Sequence, residues 1–282
     1  MRMCSSRKRT RRNERSIFLI VLAFAVLLLG SYASAQIYLP KAPPEPSAYG
    51  RVILQSHVAS SPGPVVFDHW LHRSKYTCRL CHVDVGFAMR ANTTGISAST
   101  NREGFHCGAC HDGKRVIEGK TIFASCSADA DGANHKQCAR CHFTGKKGGR
   151  KYEYNAFAAK LPAANYGVDW EAAEKSGVIK PIDFLDGLSA KKARIQNRED
   201  FSIKAGLSWV NPINFSHEKH SIWNGCELCH PEIFPTAKKG EVSFTMYSIL
   251  KGRRCGACHG KVASPLNNCQ KCHPRGPDWA EN

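Results

Sequence analysis

Apolar residues are unevenly spread along this chain. Their longest unbroken run, Ile17 to Leu29, lies behind a segment in which seven of the first fifteen residues are Lys or Arg and only Glu14 is acidic. Ala33-Ser34-Ala35 follows, a small-x-small site before Gln36. A basic segment, a short apolar segment and an A-x-A site, in that order, predict a secretory signal peptide over residues 1–35. A membrane-spanning helix needs about 20 apolar residues, more than this run supplies, so retention as an anchor is the lesser alternative. Arg11-Arg12 is a weak pointer to twin-arginine export.

Beyond that run the pattern is broken, and few regular elements are predicted. Pro40 to Ser47 (PKAPPEPS) reads as extended polyproline-type chain, making residues 36–63 a Pro-rich tether. Gly145 to Lys151 is a flexible basic stretch. A short helix follows in WEAAEKS, capped by Asp169 and stopped by Gly177, with Pro181 shortly beyond. Residues 145–210 as a whole read as a connector packing across a boundary between two units. The 42% hydrophobic content, with 23 Gly and 14 Pro, is poor material for a polypeptide core of this length.

The cysteines explain what replaces that core. Twelve of the fourteen form six C-x-x-C pairs, each followed by His. They are Cys78-Cys81-His82, Cys107-Cys110-His111, Cys138-Cys141-His142, Cys226-Cys229-His230, Cys255-Cys258-His259 and Cys269-Cys272-His273. C-x-x-C-H is the signature of covalent c-type haem attachment. Paired zinc sites or disulfides do not require a His after every second Cys. Six covalently bound haem c groups are therefore predicted, with the six motif histidines as proximal iron ligands. Haem macrocycles are large and apolar, and burying them releases about 25 cal/mol per Å². The chain is expected to wrap round its haems and not to fold without them.

Charge then changes meaning. The formal net charge is +17. Without residues 1–35, and with six ferric haems carrying twelve propionates, it falls to about +5, or about −1 when reduced. A nucleic-acid-binding reading loses its support. No Ser/His/Asp arrangement, phosphate-cradling loop or GxGxxG offers another chemistry. Asp129-Ala-Asp131-Gly132 lacks the further ligands of a calcium loop, and Cys126 is left over as a lone thiol.

The motifs repeat. Phe67-x-His69-x-x-His72 recurs as Phe215-x-His217-x-x-His220, and Cys78 and Cys107 recur as Cys226 and Cys255, all at an offset of 148 residues. Only the third motif drifts, because the first half carries 17 extra residues within Ile117 to Lys136. Two three-haem modules follow, at 64–144 and 211–276, with a tail at 277–282.

Each haem iron takes a second axial ligand, which decides between electron transfer and binding of a small molecule. Outside the motifs, residues 36–282 hold seven His (His57, His69, His72, His106, His135, His217, His220) and two Met (Met89, Met246), enough for six irons. Positions i and i+3 of a helical turn share a face, so His69 with His72, and His217 with His220, can each serve two neighbouring irons.

Phe-x-His-x-x-His followed by three C-x-x-C-H motifs resembles the class III multihaem cytochromes, specifically the trihaem cytochrome c7 type. The resemblance implies a mostly irregular and α fold with little secondary structure, two tandem c7-like modules wrapped round covalent haems. It also implies that His69, His72, His217 and His220 are distal ligands. Met246 resembles a subgroup with Met as the third distal ligand. Met89 is its counterpart in the first module, with His106 and His135 as rivals. His/Met ligation would raise two potentials above the rest. The implied function is periplasmic one-electron transfer in anaerobic respiration of the metal- or sulfur-respiring type. Redox partners would be a quinol-oxidising inner-membrane complex and a terminal reductase or outer-membrane cytochrome conduit. Two alternatives stand beside it: a multihaem reductase of nitrite, hydroxylamine or a sulfur oxyanion, and a subunit of a haem filament or membrane-bound complex.

Overall fold

The computed structural model describes residues 17–28, 41–55, 63–126, 135–143, 153–190, 199–205, 210–235, 241–243 and 245–274. The A-x-A site, His57, the Asp129–Gly132 stretch, the basic stretch at 145–151 and the tail lie outside them, as does the side chain of His135. Residues 17–28 form a helix, α1. No helix among the described residues is long and apolar enough to cross a membrane. Residues 42–282 make a separate compact unit.

Each module opens with a two-stranded antiparallel hairpin that ends in the paired-histidine helix. In the first, β1 (Arg51–Leu54) pairs with β2 (Val65–Asp68), Val52 facing Phe67. In the second, β5 (Phe201–Ile203) pairs with β6 (Ile213–Phe215), Phe201 facing Phe215. Strand β1 lies in the stretch expected as tether and β5 in the stretch expected as connector. Asp68 leads into α2 (His69–Arg73) and Ser216 caps α7 (His217–Asn224) by accepting from Lys219 N.

The 148-residue offset persists through the backbone. α3 (Ala98–Arg102) and α8 (Met246–Leu250) each start with a capping box, Ser97 with Thr100 and Thr245 with Ser248. Each packs on a 3-10 turn, His106–Ala109 or Arg254–Ala257. His106 and Arg254 both take left-handed backbone, φ 50° and 54°. The extra residues of the first module begin as a small hairpin, β3 (Val116–Ile117) with β4 (Lys120–Thr121). Its two turn residues, Glu118 and Gly119, both have positive φ, as a type I′ turn requires.

The third motifs sit on short helices, α4 (His135–Cys138) and α9 (Cys269–Cys272). Both close back on the start of their module. His142 Nδ1 meets Gly63 O at 2.6 Å, and His273 Nδ1 meets Asn211 O at 2.6 Å.

The connector joins the modules. α5 (Tyr154–Ala158) lays Phe157 4.8 Å from the buried Trp70. α6 (Trp170–Lys175) is capped as expected, Asp169 accepting from Ala172 N, with Gly177 beyond it at φ 73°. Toward the second module, Glu171 pairs with Lys219 and Lys271, and Glu174 accepts from Trp223 Nε1. Toward the first, Ile182 bridges Tyr76 while Asp183 accepts from Thr77 and Arg79. Only nine apolar side chains are buried among the described residues, Leu80 and its repeat partner Leu228 among them. The polypeptide alone has little continuous core.

Candidate functional site

Short local elements place the motif residues. Cys81 and His82 ride a π turn, Leu80–Asp84. Cys107 and Cys255 lie on the two 3-10 turns. None of the twelve motif cysteines is in a disulfide, and only Cys269 is exposed. Burial pushes the Cys81, Cys107 and Cys258 thiols up to about 12, and the thiol of Cys78 also upward. Among the described residues, no group of three or more His, Cys, Asp or Glu converges where a bare ion could sit.

The histidines are arranged in pairs. His69 and His82 have ring centroids 6.4 Å apart with planes 7° from parallel. His72 and His111 are 6.3 Å apart, and so are their repeat counterparts His220 and His259. A metal–imidazole bond of about 2 Å, plus about 1 Å from nitrogen to ring centre on each side, puts two imidazoles on one metal about 6 Å apart. Each pair joins one His of Phe-x-His-x-x-His to one His of C-x-x-C-H.

Hydrogen bonding fixes the tautomer that such a pair needs in His69/His82 and His220/His259, whereas Nδ1 of His72 and of His111 is buried without a partner. His69 Nδ1 meets Gly50 O at 2.5 Å and His82 Nδ1 meets Phe87 O at 2.7 Å. In the second module His217, His220, His230 and His259 turn Nδ1 to the carbonyls of Glu199, Ser216, Phe234 and Ser264. An Nδ1–H donated to the backbone leaves Nε2 with its lone pair free, and this orients the ring as second-shell partners do. Burial disfavours the charged imidazolium at six positions: desolvation lowers the pKa of His69, His82, His111, His220 and His259, and takes His72 to about 3. The spacing and the neighbouring Cys pairs fit a haem iron between each pair of rings, and the tautomer fits it in His69/His82 and His220/His259.

Two residues that sequence reasoning left without a role hold the distal candidates in place. Phe67 meets His69 edge-on at 4.9 Å and covers His72 at 4.6 Å. Phe215 does the same to His217 and His220, at 4.9 and 4.4 Å. The repeated Phe, two residues before the first His, was the visible signal.

The remaining candidates are dispersed. Met246 is the first residue of α8 and 46% exposed. Met89 is half-buried in irregular chain. His106 opens a 3-10 turn with its ring 5.7 Å from Phe87. His135 begins α4.

Residues 65–144 and 213–274, just over half of the chain, match the family model described as cytochrome c7 and related cytochrome c. Among solved structures, a c7-type three-haem cytochrome domain is 33% identical over 28% of this chain and 96% of its own, with TM-score 0.25. The C-terminal hexahaem fragment of a dodecahaem cytochrome c is 22% identical over 83% of this chain and 99% of its own, TM-score 0.25. The N-terminal hexahaem fragment is 26% identical over 80% of this chain and 99% of its own, TM-score 0.24. No curated protein matches the chain.

Proposed function

Since the chain belongs to the family of cytochrome c7 and related cytochromes c, whose members bind haem c and transfer electrons, we propose that it is an exported six-haem electron carrier. The observation that carries this reading is the set of three His–His pairs at 6.3 to 6.4 Å, each joining a distal candidate to a motif His.

In this reading His69 and His82 share the iron of the Cys78/Cys81 haem. His72 and His111 share that of Cys107/Cys110, and His220 and His259 that of Cys255/Cys258. By the repeat, His217 and His230 share that of Cys226/Cys229. The haems of Cys138/Cys141-His142 and Cys269/Cys272-His273 draw their distal ligands from Met89, His106 or His135, and from Met246. Haem supplies the one-electron redox couple. The protein would supply the imidazole nitrogens that hold the iron and a low-dielectric setting for it. An iron with both axial sites filled would have no place for substrate, so the paired histidines favour relay over reduction of a small molecule at those irons.

Export by residues 1–35 would put the carrier in the periplasm, between a quinol-oxidising membrane complex and a terminal or outer-membrane acceptor. The test is the ferric paramagnetic resonance spectrum, with the reduced optical spectrum taken under carbon monoxide. Six low-spin irons indifferent to carbon monoxide are expected. A stoichiometric high-spin iron that binds carbon monoxide would overturn the carrier in favour of a reductase. A native N-terminus at Gln36 would accord with export and cleavage.

A further inference from the structure

The two modules meet at Arg73, the residue after His72. Its guanidinium lies over Trp170 of the connector at 4.8 Å and over Trp223 of the second module at 5.4 Å. Arg73 Nη1 donates to Val262 O at 2.7 Å, and Val262 N in turn donates to Cys258 O. The adjoining Tyr49 hydroxyl donates to Ala263 O at 2.6 Å across the same junction. Arg73 is thus five residues from the first attachment motif and one hydrogen bond from the turn that follows the fifth.

The surroundings of this cation are incomplete. Arg73 Nε is buried without a hydrogen-bond partner. Among the described residues no ion pair includes Arg73. Glu174, a carboxylate whose charge bears on Arg73, is engaged by Trp223 Nε1. Arg73 is half-buried as a whole, but a buried guanidinium N–H with no acceptor is itself disfavoured. Two indole faces recover a share of that, about 1–2 kcal/mol apiece at most. What it lacks is a planar oxyanion, for which a guanidinium fork is shaped. The haems implied by Cys78 and Cys258 each bring two.

We propose that Arg73 binds a haem propionate at the module junction, from the haem on Cys78/Cys81 or the haem on Cys255/Cys258. The junction is then the crossing point at which electrons pass between modules, with Arg73 as the residue that positions it. A fixed cation beside a haem favours the reduced state, because it offsets the added negative charge.

The proposal rests on the six-haem reading, and the experiment separates the two. Haem content of the wild type, by mass and by pyridine haemochrome, tests the haem reading alone. Haem-resolved potentials from NMR-monitored redox titration of Arg73→Gln and Arg73→Lys in the full holoprotein then test the site. In R73Q the potential of the first haem, of the fifth, or of both is expected to shift negative while the other four stay put. Which of the two moves identifies the propionate. R73K, which keeps the charge, should restore most of the shift. Unchanged potentials in haem-loaded R73Q would overturn the proposal, and so would a uniform shift of all six, the mark of modules that have merely loosened. If R73Q does not fold, a haem-loaded R73K with wild-type NMR contacts between the first and fifth propionates and residue 73 supports it, and the lack of any such contact overturns it.

Discussion

A glycine inside each second motif carries a sharp prediction. The motifs read Cys107-Gly108-Ala109-Cys110 and Cys255-Gly256-Ala257-Cys258, whereas the other four have larger residues in that place. The last turn of α3 explains the first: a Cβ on Gly108 would lie 1.8 Å from Asn101 O and 2.6 Å from its carbonyl carbon. At Gly256 the corresponding distances, to Ile249, are 1.9 and 2.8 Å. Comfortable separation is about 3.5 Å, so helix and turn would have to part by about 1.5 Å. Both partners are backbone, with no rotamer to give way, which puts Gly→Ala at the upper end of overpacking, about 3 kcal/mol. At about 2–4 °C per kcal/mol for a folded unit of this size, each variant should melt about 6–12 °C below wild type. Thermal unfolding followed by circular dichroism would measure it, with Gly95→Ala, which meets nothing within 4 Å, as the control. Melting within about 2 °C of that control would mean that α3 and α8 do not press on their motifs as described. The two sites are in different modules, so the double variant should show the sum.

Other perturbations address other links. His72→Ala and His220→Ala should each create one high-spin, carbon monoxide-binding haem without changing haem content, read by paramagnetic resonance and mass. Arg79→Met should destabilise by about 3–5 kcal/mol, because it strips the partner from Asp84, whose side chain is 3% exposed; chemical denaturation would show it. Asp169→Ala removes the cap of α6 and should lower stability by about 1 kcal/mol in the same assay. Replacing all twelve motif cysteines by Ala should give a chain without cooperative thermal unfolding, since few apolar residues are buried without haem.

Spacing made the attachment motifs, the repeat and the paired histidines legible in the sequence, because covalent chemistry demands fixed intervals. The α6 helix was legible through Asp169 and Gly177. Strands β1 and β5 were not: RVIL and FSI are too short for a period to register, and what holds them is pairing with β2 and β6. The α3 and α8 capping boxes escaped because Ser97-Thr100 and Thr245-Ser248 use a hydroxyl where the usual signature has Glu or Gln. Arg73 looked like an ordinary basic residue, since nothing local announces that Trp170 and Trp223, remote in sequence, will cover it.

The closing contacts of the modules bear on how the two copies came to differ. His142 to Gly63 closes a loop of 79 residues and His273 to Asn211 one of 62. The difference is the 17-residue insertion. Loop-closure entropy grows only with the logarithm of length, about 0.6 kcal/mol per doubling, so the longer loop is disfavoured by only about 0.2 kcal/mol. The segment between the second and third motifs can therefore lengthen at almost no entropic cost, whereas the interval from Phe-x-His-x-x-His to the second motif sets the spacing of the His72–His111 and His220–His259 pairs. The added length between the copies accordingly lies in one interval, while the 148-residue offset holds from Phe-x-His-x-x-His to the second motif.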